Sequence, residues 1–155
     1  MSFGTIIVLS MLAAFSGGAG YSYLAGIQPS AIATAAQPVA FRPYLLCSGS
    51  VRYHCVVDGD TIWSEGTKIR IADIDTPEVS EPKCQSEAVL GARATQRMLQ
   101  LVNAGPFQMQ AWPGRDEDKY GRKLRVLVRD GRSLGDTMVS EGLARTWTGR
   151  RQPWC

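Results

Sequence analysis

The chain has 155 residues, with 17 Lys and Arg against 14 Asp and Glu for a formal net charge of +3. That length holds one domain with its own core plus an appendage. The mildly basic balance permits a polyanionic partner without demanding one.

Residues 1–27 read as a signal peptide or an uncleaved membrane anchor. Thr5 to Phe15 is an apolar run, too short for a span of about 20 residues. It reaches that length only through "GGAGYSYLAGI", where glycines interrupt it. Ala31-Ile32-Ala33 and Ala33-Thr34-Ala35 are A-x-A-like cleavage sites. No charged side chain precedes Arg42, so orientation in a membrane is weakly specified. A buried core helix is the alternative, and the glycines and the missing polar face argue against it. Residues 28–46, with Pro29, Pro38 and Pro43, read as a linker. Residues 47–155 then form the folded domain, expected to be exported (periplasmic or secreted) or anchored to a membrane by the N-terminal segment.

Cys47, Cys55, Cys84 and Cys155 all follow the signal-like segment, and an even count in a small exported domain favours disulfides. Four cysteines allow three pairings. The preferred one joins Cys47 to Cys55 around a short loop and ties the C-terminus to the loop after Glu78 through Cys84 and Cys155. The spacing matches no common zinc pattern, and His54 reads as an ordinary strand residue.

Val51 to Val57 is rich in β-branched and aromatic residues and reads as a first strand. "DGD" is a turn, Thr61 to Ser64 a second strand, "EGT" a turn, and Lys68 to Ile74 a third strand with Ile69 and Ile71 alternating against Lys68 and Arg70. From Ser86, a plausible N-cap, to Asn103 the period turns helical, and "NAG" with Pro106 ends it. Phe107 to Trp112 and Arg122 to Arg129 read as strands four and five, and Leu134 to Glu141 as a short helix ending at Gly142. The order is α+β, and five short strands with antiparallel turns suit a small OB-type barrel with packed helices.

The chemistry gathers at strand ends. Asp60 follows a tight turn and Asp75 follows the third strand. With the Thr76 carbonyl they make a partial shell for one hard cation such as calcium, water completing it. Pro77 stiffens the step to Glu78, whose carboxylate could accept a proton from water. Arg70 and Arg122 could hold a phosphodiester against the charge that develops in displacement. Arginines and tryptophans in "RTWTGRRQPW" also suit nucleic acid. The bland readings are that Asp-Gly-Asp is an ordinary turn and that strand-end arginines are solvated. No single feature is specific; the set in this order is.

"VVDGDT", "RIADIDTPE" and "DKYGR", in this order and spacing, resemble the staphylococcal nuclease (thermonuclease) family over roughly Val51 to Thr146. The resemblance implies an OB-fold barrel with packed helices and a calcium-dependent nuclease acting on DNA and RNA, leaving 3′-phosphates. It implies Asp60 and Asp75 as calcium ligands with the Thr76 carbonyl, Glu78 as general base, and Arg70 and Arg122 as phosphate and transition-state clamps. It also implies Lys119 and Tyr120 as contacts to a terminal phosphate. The chain departs from the family in three places. The loop "VSEPKCQSEA" is short, and "RTWTGRR" stands where the family carries nucleotide-stacking tyrosines, leaving Trp147 to stack or to pack. The chain also ends at "RRQPWC" without a long helix, where a disulfide at Cys155 could serve as the clasp. Asp73 takes no catalytic role. The competing readings are a catalytically silent module that binds nucleic acid or protein, and a purely structural OB module. A monomer is the default.

Overall fold

The computed structural model describes residues 42–155. The expected signal or anchor segment, and the expected linker up to Phe41, lie outside the described residues. None of the described helices is long and apolar enough to cross a membrane.

Eleven elements follow one another: β1 (Leu45–Leu46), β2 (Cys55–Asp58), β3 (Thr61–Ser64), β4 (Thr67–Ile71), β5 (Ile74–Asp75), α1 (Gln85–Asn103), β6 (Gln108–Ala111), β7 (Lys123–Arg129), β8 (Arg132–Ser133), α2 (Leu134–Ser140) and β9 (Arg145–Thr146). The main sheet runs in the order β1-β2-β3-β4-β7-β6, with β8 on β7, and β5 pairs with β9 in a separate ribbon. β7 inserts beside β4 in parallel, while β6 lies antiparallel on its other side. This is an α+β, OB-like arrangement. The ladder among the described residues runs from β1 to β6 without joining its two ends, so hydrogen bonds do not close the expected barrel.

Turn chemistry sets two of the connections. Glu65 and Gly66 between β3 and β4 both have positive φ, 49° and 76°, as do Asp130 and Gly131 between β7 and β8, at 50° and 75°. Two-residue turns of that hand match the twist of the strands they join. Behind the sheet, α1 buries Gly91, Ala94, Thr95, Met98, Leu101 and Val102. These meet Val56, Ile62, Ile69, Ile71 and Leu127 from the strands and Met138 from α2 in one core.

Several expected boundaries move. The packed unit begins before Cys47, inside the stretch expected as linker. Tyr44 is 4% exposed, its hydroxyl donates to Ser64 Oγ at 3.0 Å, and its main chain exchanges hydrogen bonds with the Asn103 side chain. Val51 to His54 is not strand, despite its β-branched composition. The Cys47–Cys55 disulfide folds 47–55 into a loop, and β1 takes the sheet edge by pairing in parallel with β2. The third strand stops at Ile71, and Ile74–Asp75 turns away to pair with β9. Ser86 is inside α1, and Cys84 is the N-cap with no side-chain capping hydrogen bond. The end is instead tied by Glu87, whose carboxylate accepts from the Lys83 N–H at 2.6 Å and the Glu78 N–H at 3.3 Å. The second disulfide joins Cys84 to Cys155.

Candidate active site

The turn between β2 and β3 is organised by Asp58, whose Oδ1 accepts from the Asp60 N–H at 3.1 Å. Gly59 sits between them because nothing larger fits: a Cβ there would lie 2.9 Å from both Ala94 Cβ and Thr76 Cγ2. The turn is thereby pressed onto α1, and Asp60 is only 5% exposed. Its Oδ2 accepts from the Thr76 N–H and Oγ1 at 3.0 and 2.9 Å, and its Oδ1 from Thr61 Oγ1 at 3.1 Å.

Arg70 stands opposite Thr61 in the β3–β4 register. Its Nη1 pairs with Asp60 Oδ2, and its Nη2 donates to the Ile74 carbonyl at 3.1 Å and lies 3.6 Å from Asp75 Oδ1. One guanidinium therefore spans both carboxylates expected to hold a cation. Burial first, and then the neighbouring Arg122 charge, push the Arg70 pKa down to about 10, still charged at neutral pH.

Asp75 is held in β5 and is 4% exposed. Pro77, fully buried, carries the chain to Glu78. The main chain at Pro77 and Glu78 lies against α1 at Gly91, where a Cβ would sit 2.9 Å from the Pro77 carbonyl and 2.8 Å from that of Glu78. Glu78 keeps its side chain at the edge of the cleft, 34% exposed. Across the cleft, Asp118 folds the "DKYGR" loop. Its Oδ1 accepts from the N–H groups of Tyr120 and Arg122 at 2.9 and 3.0 Å, and its Oδ2 from Arg122 Nε at 2.6 Å. Lys119 Nζ and the Arg122 guanidinium flank the exposed Tyr120 ring at 4.9 and 5.5 Å.

A cleft of about 550 Å³ brings together Asp60, Asp75, Glu78, Arg70, Arg122, Lys119 and Tyr120, all singled out from the sequence, together with Trp147. The Thr76 side chain is buried under Asp60, and its carbonyl accepts from Arg151 Nη2 at 2.8 Å. A larger cleft of about 850 Å³ on Tyr44, Tyr53, His54 and Phe107 lacks such a set of carboxylates and arginines. His54 Nε2 lies 2.8 Å from the Arg42 carbonyl and belongs to that other cleft. Asp73 Oδ2 accepts from Ser133 Oγ at 2.5 Å, beside the N-cap of α2, a structural role.

Sequence reasoning assigned no individual role to Asp58, Asp118, Trp112, Arg115 and Arg151, which also line the cleft. Asp58 and Asp118 lie within or beside the quoted motifs, and their aspartate-turn chemistry was the available signal. Burial raises the Asp58 carboxyl above the ordinary range. In the sequence Arg151 reads only as one arginine of the basic "RTWTGRRQPW" tail. Its place follows from the tail folding back onto Asp75, with Nε donating to Oδ1 at 3.0 Å and Nη1 pairing with Glu78.

No cluster of three or more His, Cys, Asp or Glu side chains with metal-holding geometry occurs among the described residues. The donor set nonetheless suits a hard cation. Two buried carboxylates and a main-chain carbonyl are gathered closely enough to be bridged by two guanidinium groups.

The family model described as staphylococcal nuclease homologue matches residues 68–153. Endonuclease YncB of Bacillus subtilis (strain 168) is 40% identical over 93 residues, covering 57% of this chain and 44% of that protein. The SPbeta prophage-derived endonuclease YokF of the same strain is 40% identical over 93 residues, covering 57% of this chain and 31% of that protein. The chain thus spans less than half the length of these relatives. The family match begins after Asp60 and takes in Arg70, Asp75, Glu78, Arg122 and Arg151.

Proposed function

The chain belongs to the staphylococcal nuclease family, and from that premise we propose that it is a calcium-dependent phosphodiesterase that hydrolyses DNA, RNA or both. The observation that carries this reading is one cleft lined by Asp60, Asp75, Glu78, Arg70 and Arg122, with Arg70 set against the two aspartates. Asp60, Asp75 and the Thr76 carbonyl would hold one calcium ion, which when bound would supply positive charge against the negative charge that develops on the phosphoryl oxygens.

Glu78 takes the proton of the attacking water. The water oxygen bonds to phosphorus, the 5′ P–O bond breaks, and the departing 5′ oxygen takes a proton from solvent, leaving a 5′-hydroxyl and a 3′-phosphate. Arg70 and Arg122 hold the phosphoryl oxygens. Both are engaged in the free protein, Arg70 by Asp60 and the Ile74 carbonyl, Arg122 by Asp118. Substrate phosphate therefore has to replace a carboxylate at Arg70. Lys119 and Tyr120 receive a terminal phosphate, and Trp147 stacks a base. The reading extends to location. All four cysteines are disulfide-bonded, which supports an oxidising compartment reached by export or by anchoring through residues 1–27.

The test is the full chain with single-stranded DNA, first with calcium and then with a chelator, beside an Asp60→Ala/Glu78→Gln variant. Cleavage that needs calcium, is absent in the variant and leaves 3′-phosphate ends is the expected result. Binding without cleavage, under calcium and other divalent ions alike, would instead establish a catalytically silent module.

A further inference from the structure

Arg151 uses all three of its guanidinium nitrogens on the oxygens assigned above to metal and base. Nε donates to Asp75 Oδ1 at 3.0 Å, Nη2 to the Thr76 carbonyl at 2.8 Å, and Nη1 pairs with Glu78 Oε1. Three of its five N–H donors are spent on those oxygens, so its charge faces the ligands and the base as well as the cleft. We propose that Arg151 is a built-in cation that competes with the divalent ion for Asp75, Thr76 and Glu78, and that the disulfide-bonded tail holds it in place. The proposal rests on the divalent-cation reading of this site.

The tail is pinned by contacts that do not involve Arg151. Cys155, four positions on, is bonded to Cys84. The Trp154 indole Nε1 donates to Asp75 Oδ2 at 3.3 Å. Arg145 donates to the Pro153 carbonyl at 3.0 Å, and its guanidinium lies 3.8 Å from the centroid of the Trp154 ring. Both oxygens of Asp75 are thus capped from the tail, one by Arg151 and one by Trp154. A hard cation needs those lone pairs, so its binding is opposed while Arg151 stays and strengthened as Arg151 withdraws. Withdrawal is feasible, because the Arg151 side chain is 43% exposed and borders solvent. Tethering keeps the guanidinium at high local concentration, so the metal competes with a permanent neighbour.

Calcium binding to the full chain, with its disulfides formed, is measured by titration calorimetry without substrate. Four proteins are compared: the native chain, Arg151→Met, Arg150→Met, and Cys84→Ser/Cys155→Ser. If the plug occupies the site nine times in ten, its removal tightens apparent affinity about tenfold. The expected pattern is therefore a gain of about tenfold or more in Arg151→Met. The double serine variant shows a smaller gain of the same sign, and Arg150→Met stays within about twofold of the native chain. Unchanged or weaker binding in Arg151→Met overturns the proposal. So does an equal gain in Arg150→Met, which would make the effect one of bare charge. So does an absence of calcium binding in all four. If Arg151→Met fails to fold by circular dichroism, Arg151→Lys takes its place, since an ammonium cannot reach three oxygens at once. A smaller gain is then expected, and no gain overturns the proposal. Failure of the nuclease reading would look different: calcium bound and no cleavage.

Discussion

Thr76 is joined twice to Asp60, sixteen positions earlier: its main-chain N–H and its Oγ1 both donate to Asp60 Oδ2, at 3.0 and 2.9 Å. Both residues are at most 5% exposed. The pair fixes the β2–β3 turn against the start of the segment that carries Glu78, so the two halves of the candidate site are registered by one carboxylate oxygen.

Thr76→Val keeps the shape and the carbonyl and deletes one donor. A hydrogen bond to a buried charge contributes about 1.5–3 kcal/mol, and the variant should lose that much stability in urea unfolding at neutral pH. Circular dichroism should stay native, because the Asp60 carboxylate retains the Thr76 N–H, Thr61 and Arg70. A loss below a few tenths of a kcal/mol would mean that the Oγ1 contact is not what registers the two segments.

Gly91→Ala sets helix propensity against packing. Alanine favours the helix interior by about 1 kcal/mol over glycine. Here, however, the new Cβ would lie 2.8 and 2.9 Å from the carbonyls of Glu78 and Pro77, which are main chain and cannot rotate away. The segment bearing Glu78 must shift off α1. We expect net destabilisation of about 1–3 kcal/mol, the usual range for overpacking, and slower cleavage with calcium saturating. A variant more stable than the native chain and fully active would show that the position of Glu78 does not depend on this contact.

Much of this site is legible in the sequence because its information is local. Asp60, Asp75 and Glu78 stand out by their turn and proline neighbours, and Thr61–Ser64 is a strand as its pattern indicates. What is not legible depends on long-range closure. Val51 to His54 has strong strand composition, yet the Cys47–Cys55 bond and the parallel pairing of Leu45–Leu46 override it. Ser86 is a better cap by residue type than Cys84, but the chain enters α1 where the Glu87 carboxylate ties back to Lys83. Arg151 is one arginine among several in a basic tail. Only the fold, bringing Cys155 to Cys84, sets it on Asp75.

Asp118 gives the "DKYGR" loop a pH dependence of defined sign. Burial alone would raise its carboxyl, but the hydrogen bonds from the Arg122 N–H, the Arg122 Nε and the Tyr120 N–H outweigh burial and hold it below the ordinary carboxylate range. A folded-state pKa below the unfolded value of about 3.9 stabilises the protein above that pH, and the contribution is lost as pH falls through the folded value. The stability difference between the native chain and Asp118→Asn should therefore be largest at neutral pH and shrink below about pH 4. Urea unfolding of both across that range measures it. A difference that grows on acidification would mean that the three donors do not favour the charged form.

The two disulfides should contribute unequally. Cross-linking removes entropy from the unfolded chain in proportion to the logarithm of the loop closed. The Cys84–Cys155 bond spans 71 positions and Cys47–Cys55 spans 8. That relation gives about 4 kcal/mol for the first and about 2.5 kcal/mol for the second. Cys84→Ser/Cys155→Ser should accordingly lose more stability than Cys47→Ser/Cys55→Ser in urea unfolding without reductant. The shorter loop has a second effect, because it sits at the sheet edge where β1 pairs with β2. Its loss should loosen that edge and expose amides there to hydrogen exchange, while leaving Arg151 on Asp75. Loss of the longer loop should free the tail and leave the edge protected. If the shorter loop proves the more costly, local order at the edge, and not chain entropy, governs how these bonds stabilise the fold.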